Sequence, residues 1–214
     1  MDKLLVDRGL APARERAQAL ILAGKVLVNE QKIEKAGASI DSSSSLRLLN
    51  CDGDLRYVSR GGLKLEKALE HWQIDLRGKV CLDIGASTGG FSDCMLQHGA
   101  AKVIAVDTGY GQMNFGLRND PRVRLLEKTN ARYLEGSDIG EPVDFIALDV
   151  SFISATLVLP AVLRAASLDN SNRSAVCQLV VLVKPQFEAG RKLVGKGGIV
   201  RDESVQRAAV AKVE

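Results

Sequence analysis

Histidine and cysteine are scarce in this 214-residue chain: two histidines, His71 and His98, and four cysteines, Cys51, Cys81, Cys94 and Cys177. No two cysteines form a CxxC pair, so the clustered ligands of a zinc site are missing and no metal is expected. Cys81 sits inside an apolar run, where a free thiol behaves as a small hydrophobe. Reduced thiols of a cytoplasmic protein are the expectation. No stretch approaches the roughly 20 consecutive apolar residues of a membrane span. The opening residues Met1–Arg8 mix both charge signs and lack the apolar core of a secretory signal. The excess of positive charge is also small: 29 basic minus 26 acidic residues leaves +3, too little to establish nucleic-acid binding without a favourable distribution.

What the chain does have is ordinary globular material. Hydrophobic residues make up 46 % and charged residues 26 %, close to the soluble average, which excludes bulk disorder and fibres. The length fits one large domain, or a small one followed by a medium one. The pattern changes near residues 50–60, after a loop at Asp41–Ser45 and a turn at Cys51–Asp54. The expected division is 1–58 and 59–214.

In the first part Pro12 suits the start of a helix. Ala17, Leu20 and Ile21 then recur at helical spacing, and Gly24 stops the helix. Val26-Leu27-Val28 and Lys32-Ile33-Glu34 flank Asn29-Glu30-Gln31 in a hairpin-like pattern. Arg14 and Arg16 fall off the apolar face. With Lys25 and, past the boundary, Arg60, they are candidate contacts to RNA phosphates; a solvated helix face is the alternative. The run Ala13-Arg14-x-Arg16-Ala17-x-x-Leu20-Ile21-x-x-Gly24-x-Val26-x-Val28-Asn29 resembles the αL RNA-binding domain named after a ribosomal small-subunit protein, and the resemblance implies RNA binding.

The second part alternates strands with helices, which implies a parallel α/β sheet with ligands at the strands' C-terminal ends. Val80–Ile84 is an apolar strand that runs into Gly85-Ala86-Ser87-Thr88-Gly89-Gly90-Phe91 and then a helix. Strand, glycine loop, helix is a cofactor-cradling unit. Lys102–Val106 is a second strand. It ends in Asp107, which is placed to accept the ribose hydroxyls of an adenosine cofactor. Val123–Glu127, followed by Asn130, is a third strand. Val143–Asp149 and Leu179–Pro185 are the fourth and fifth.

An acid on the second strand serves NAD and S-adenosylmethionine alike. The loop separates them. A dinucleotide loop reads GxGxxG, and Ser87 stands where its second glycine belongs. Asp83 just before the loop and Asp149 at the end of strand four suit a cationic sulfonium and repel pyrophosphate. The cofactor reading is S-adenosylmethionine, held by Asp83, Gly85, Ser87, Thr88, Gly89, Gly90, Phe91, Asp107, Asn130 and Asp149. An NAD enzyme is the lesser alternative, and Asp83 is also readable as a carboxylate that organises the loop.

The acceptor is narrowed by what is missing at strand four. Asp149-Val150-Ser151-Phe152 lacks the prolines of N6-adenine enzymes, and Cys177 lies in a strand rather than in a Pro-Cys nucleophile motif. The strand ends instead offer Asp149 and Lys184. A hydroxyl must lose its proton as it attacks, and a lysine serves as base where burial or a neighbouring cation lowers its pKa. Lys64, in Ser59-Arg60-Gly61-Gly62-Leu63-Lys64, is a candidate for that neighbour, and Asp149 for the group that fixes both lysines.

Four ordered motifs carry a second resemblance. They are Ser59–Leu65, Leu82–Phe91, Leu148–Ser154 and Val183-Lys184-Pro185-Gln186-Phe187-Glu188. Together they resemble the TlyA, or hemolysin A, family, whose members combine an αL RNA-binding domain with an FtsJ-like, Rossmann-type methyltransferase domain. The resemblance implies S-adenosylmethionine as donor, a cytidine 2′-hydroxyl of ribosomal RNA as acceptor, and ribosomal RNA or ribosomal subunits as partner. It also implies a Lys-Asp-Lys-Glu catalytic set whose first three places fall on Lys64, Asp149 and Lys184. The family's glutamate lies on a late strand, Glu188 is too close to Lys184 to be it, and the chain stops at Glu214. The expectation is therefore a sheet lacking its last strands. A non-catalytic ribosome-associated protein and, from the family's second name, a cytolysin are the alternatives.

Overall fold

The computed structural model describes residues 1–11, 13–22, 24–33, 35, 37–48, 56–166 and 177–214. Two compact units divide the chain, Met1–Leu55 and Arg56–Glu214. Pro12, Glu34 and the Cys51–Asp54 turn, all singled out from the sequence, lie outside the described residues.

In the first unit three successive apolar residues, Val26, Leu27 and Val28, are all buried. They form β1 (Val26–Val28), the centre of an antiparallel sheet between β2 (Gln31–Ile33) and β3 (Leu46–Leu48). The hairpin turn is one residue shorter than expected, because Gln31 pairs with Val28. Asn29 and Glu30 both take positive φ, 49° and 64°. That is the mirror-image two-residue turn whose twist matches the flanking strands. Two helices cover the sheet. The first, α1 (Asp2–Asp7), was not legible in the mixed charges of Met1–Arg8; it forms because Leu5 packs into the unit's core. The second, α2 (Arg14–Leu22), buries Ala17, Leu20 and Ile21, the face read from the sequence. Gly24 follows it, and Gly24 N and Lys25 N donate to the Ile21 and Leu20 carbonyls at 2.8 and 2.9 Å.

The second unit is built on five parallel strands: β4 (Val80–Ile84), β5 (Lys102–Val106), β6 (Val123–Leu126), β7 (Phe145–Leu148) and β8 (Gln178–Val181). Their order is β6-β5-β4-β7-β8. Side chains alternate across this sheet, so both faces must be covered. Cys81, Val103, Ala105, Phe145 and Ala147 face α3 (Gly61–His71) and α4 (Gly90–Gln97). Leu82, Ile84, Ile104, Val106, Ile146 and Leu148 face α7 (Leu159–Ala166) and the segment Ala131–Ile139. Short helices α5 (Phe115–Arg118), α6 (Gly136–Ile139) and α8 (Pro185–Glu188) and a terminal helix α9 (Glu203–Val213) complete the unit.

This topology positions the site. The chain runs outward through β4, β5 and β6 and returns on the other side of β4 as β7. The strand order thus reverses between β4 and β7, which is where open α/β sheets leave a crevice beyond the strand C-termini. Two glycine pairs bring α3 and α4 together at that end. A Cβ on Gly90 would lie 2.2 Å from Ser59 Oγ and 3.0 Å from Gly62 N, so only glycine permits the approach. Among the described residues no helix is long and apolar enough to cross a membrane.

Candidate active site

Three side chains far apart in sequence meet beyond the C-termini of β7 and β8. Asp149 directly follows β7, Lys184 follows β8 and opens α8, and Lys64 projects from the first turns of α3. Lys184 Nζ is ion-paired to Asp149 Oδ1 and donates to Ser151 Oγ at 2.7 Å. Lys64 Nζ stands 4.0 Å from Asp149 Oδ2. Asp149 and Lys184 are each 18 % exposed at the side chain, whereas Lys64 is 53 % exposed. One carboxylate thus faces two ammonium groups, one at each oxygen, and Lys64 is the more exposed of the two.

Beside this cluster is a cavity of about 490 Å³, lined by residues that include Gly85, Ser87, Asp107, Asn130 and Asp149. Gly85 has φ +88°, and a Cβ there would meet the Asp149 carbonyl oxygen at 2.4 Å. Asp107 stiffens the rim: its Oδ2 accepts from Ser87 N at 2.8 Å and its Oδ1 from Gly109 N at 2.6 Å. A carboxylate has about four acceptor positions, so both oxygens keep capacity for a ligand hydroxyl. Asn130 Oδ1 accepts from Arg132 N at 3.1 Å.

Asp83 is fully buried behind the glycine loop and does not line the cavity. Its Oδ2 accepts from Ser92 Oγ at 2.6 Å, and its Oδ1 has no hydrogen-bond partner among the described residues. Burial pushes its carboxyl up to about 7, opposed by the hydrogen bonds to Ser92 and assisted by Asp149 and Asp107. The nearby Asp149 and Asp107 carboxylates add to the cost of ionising it.

The remaining candidates scatter. Gly89 and Gly90 lie at the start of α4, and Phe91 lines a separate pocket with residues of α3 and β8; with Thr88 they shape the loop without lining the cavity. Cys81 is buried, and burial holds its thiol up at about 12. In the first unit Arg16 and Lys25 are exposed, while Arg14 pairs with Asp2 at 3.0 Å. Arg60 is exposed at the start of α3 in the second unit.

Sequence reasoning missed four groups. Ser151 is the second acceptor for Lys184. Gln112 lines the cavity near Ser87. Phe152, 92 % exposed at φ +64°, stands beside Phe187 with ring centroids 5.3 Å apart. Glu188 is buried and binds Ser154, Ala155 and Lys212. Burial pushes the Glu188 carboxyl up, but those hydrogen bonds outweigh it and hold it below its ordinary value. Ser151 and Phe152 are visible as neighbours of Asp149, and Glu188 closes the Val183–Glu188 motif but stands too near Lys184 to read as the family's glutamate; Gln112 has no sequence signal.

Comparison with known proteins agrees in both units. The FtsJ-like methyltransferase family matches residues 57–214, and the S4 domain matches residues 1–43. The chain is 46 % identical over 213 residues to the 16S/23S rRNA (cytidine-2′-O)-methyltransferase TlyA of Mycobacterium tuberculosis, covering 100 % of this chain and 76 % of that protein. It is 40 % identical over 218 residues to Hemolysin A of Brachyspira hyodysenteriae, covering 100 % of this chain and 87 % of that one. A solved structure from Streptococcus thermophilus, described there as a hemolysin, superposes with a TM-score of 0.70 at 45 % identity, over 99 % of this chain and 74 % of that one.

Proposed function

The chain belongs to the FtsJ-like methyltransferase family, and from that we propose that it methylates the 2′-hydroxyl of a cytidine in ribosomal RNA with S-adenosylmethionine as donor. Residues 1–58 are the RNA-binding part and residues 59–214 the catalytic part. The observation that carries this reading is the convergence of Lys64, Asp149 and Lys184 beside the cavity at the sheet's switch point.

The residues present fit the donor. The cavity is built by a glycine that cannot carry a Cβ, and the unpaired buried oxygen of Asp83 lies behind the same loop. Asp107 and Asn130 would hold the nucleoside end; Gly85, Ser87 and Asp83 would favour the cationic end. Bound there, S-adenosylmethionine supplies an electrophilic methyl group. Lys184 Nζ would orient the attacking hydroxyl and, once it has passed a proton to the paired Asp149 carboxylate, accept the hydroxyl's proton. Asp149 and Ser151 fix that nitrogen, and Lys64 braces Asp149 from the solvent side. The exposed Phe152, beside the half-buried Phe187, offers a face for a base turned out of its stack, which sugar chemistry within structured RNA requires. Much of the acceleration then comes from holding donor and acceptor in line.

Methyl transfer from radiolabelled S-adenosylmethionine to ribosomal RNA tests this. The Lys184→Ala variant is expected to lose about 10²–10⁴-fold in rate, the range for a proton-handling side chain. A Lys184→Ala variant as active as the wild type removes the mechanism, and a folded wild type that transfers nothing to ribosomal RNA or subunits removes the function.

A further inference from the structure

The segments that supply Asp149 and Lys184 are joined twice. At the reacting end, Lys184 meets Asp149 and Ser151. Four residues further along α8, Glu188 makes the second joint. Its Oε1 accepts from Ala155 N at 2.7 Å, and its Oε2 accepts from Ser154 Oγ and from Lys212 Nζ, the latter at 3.2 Å. Lys212, on α9, also donates to the Glu188 carbonyl oxygen at 3.0 Å, and Ser154 Oγ lies 2.8 Å from Thr156 Oγ1. The Glu188 side chain is only 2 % exposed. A carboxylate buried to that degree is kept only where its partners are complete. Here they come from the loop after β7 and from α9.

We infer that Glu188 is a positioning residue: from the far end of α8 it locks the loop carrying Asp149 and Ser151 to the segment carrying Lys184, and so sets the distance between the lysine amine and its carboxylate. It touches neither the Lys184 cluster nor the cavity, so it acts through Lys184. Ser151 and Ala155 lie on the one segment and Lys184 and Glu188 on the other, so the two segments are tied at two separate points.

The inference rests on the proposed function for its kinetic readout but not for its structural one. Competitive acylation of amines, read by mass spectrometry, compares Lys184 with the exposed Lys67 of α3 in a folded protein without turnover. In Glu188→Gln, which keeps the shape and the Ala155 bond but loses the charge, the Lys184-to-Lys67 labelling ratio is expected to rise several-fold. Methyl transfer is expected to fall up to about 100-fold in kcat, the cost of misplacing a reacting group by roughly 1 Å, with KM values little changed and the pH–rate profile displaced. Should Glu188→Gln fail to fold, Ser154→Ala removes one arm of the joint and Ser154→Thr restores its hydroxyl; the first is expected to raise the ratio and the second to return it. A folded variant with lowered Tm but unchanged labelling ratio and pH profile assigns Glu188 to stability alone and overturns the inference. Absent turnover in the wild type overturns the proposed function instead, and leaves the labelling ratio to decide the role of Glu188.

Discussion

Each of the two units buries an aspartate, and the two are handled in opposite ways. In the first unit Asp2 accepts from Gln18 Nε2 at 2.8 Å, from Lys3 N at 2.7 Å and from Arg14 at 3.0 Å. These donors, Gln18 foremost, hold its carboxyl down at about 2. In the second unit Asp83 accepts from Ser92, with no ion pair among the described residues, and burial takes it up to about 7. The first acid is spent on stability. The second keeps one oxygen without a hydrogen-bond partner among the described residues, behind the loop that borders the cavity. The difference follows from the cores. Around Asp83 the sheet is packed on both faces, enough to carry an unfavourable group. Among the described residues the first unit's cluster has Leu5, Ala11, Ala17, Leu20, Ile21 and Val26 as buried members, and a small core has no such reserve.

The strongest way to break this contrast is to attack the site. Asp149→Ala leaves two ammonium groups without their carboxylate and is expected to lower methyl transfer by about 10²–10⁴-fold, while RNA retention on a filter at fixed salt stays at the wild-type level. A parallel loss of RNA retention would show that the two units do not divide the labour. Core truncations come next. Ile104→Ala and Ile21→Ala should each cost about 2–5 kcal/mol. The Ile21 change falls on the smaller core, so hydrogen exchange should show loss of protection confined to residues 1–55, and an even loss over the whole chain would contradict it. Glycines sharpen the point. Gly90→Ala forces a Cβ into Ser59 and should cost about 1–3 kcal/mol, whereas Gly37→Ala, with nothing within 4 Å, should stay within about 0.5 kcal/mol; thermal unfolding measures both.

The pH dependence of the two units should run in opposite senses. Asp83, raised to about 7 in the folded chain, holds a proton there that the unfolded chain has released above about 4. The folded state therefore binds more protons in that window, and stability falls as pH rises from about 4 to about 7. Asp2, lowered to about 2, contributes stability that is complete above about 4 and is lost as pH falls toward about 2. Melts of Asp83→Asn and Asp2→Asn against wild type isolate each contribution, and slopes of the same sign would refute the contrast. A cation in the cavity should favour ionised Asp83, so the affinity for S-adenosylmethionine should rise with pH through about 7 and flatten in Asp83→Asn. The smallest effect is at the surface. Arg47 and Glu30 form an exposed pair, and Arg47→Ala should change stability by less than about 1 kcal/mol.

Legibility also differed between the units. The strands of the second were readable because Val80–Ile84, Lys102–Val106 and Phe145–Leu148 are nearly unbroken apolar runs, the mark of strands covered on both faces. In the first unit β3 has three residues, Leu46-Arg47-Leu48, too few for an alternation to stand out from the serine-rich loop before it. The hairpin register was misread by one because Gln31 is polar, yet pairs on an exposed edge. Candidate residues at strand ends could be named because the sheet's topology says where strand ends collect. Partners set by proximity across loops, such as Ser151 for Lys184 or Lys212 for Glu188, left no periodic trace.

The amino-acid sequence by itself determined the α/β class, the glycine loop and which acids and amines fall at the strand ends, because burial and backbone freedom act over a few neighbouring residues. The tertiary structure alone decided how Lys64 and Lys184 share one carboxylate, that one Asp83 oxygen has no hydrogen-bond partner among the described residues, and that Glu188 ties α8 to the loop after β7 and to α9. Those are facts of distance and dielectric between segments that meet only after the sheet has closed around its switch point.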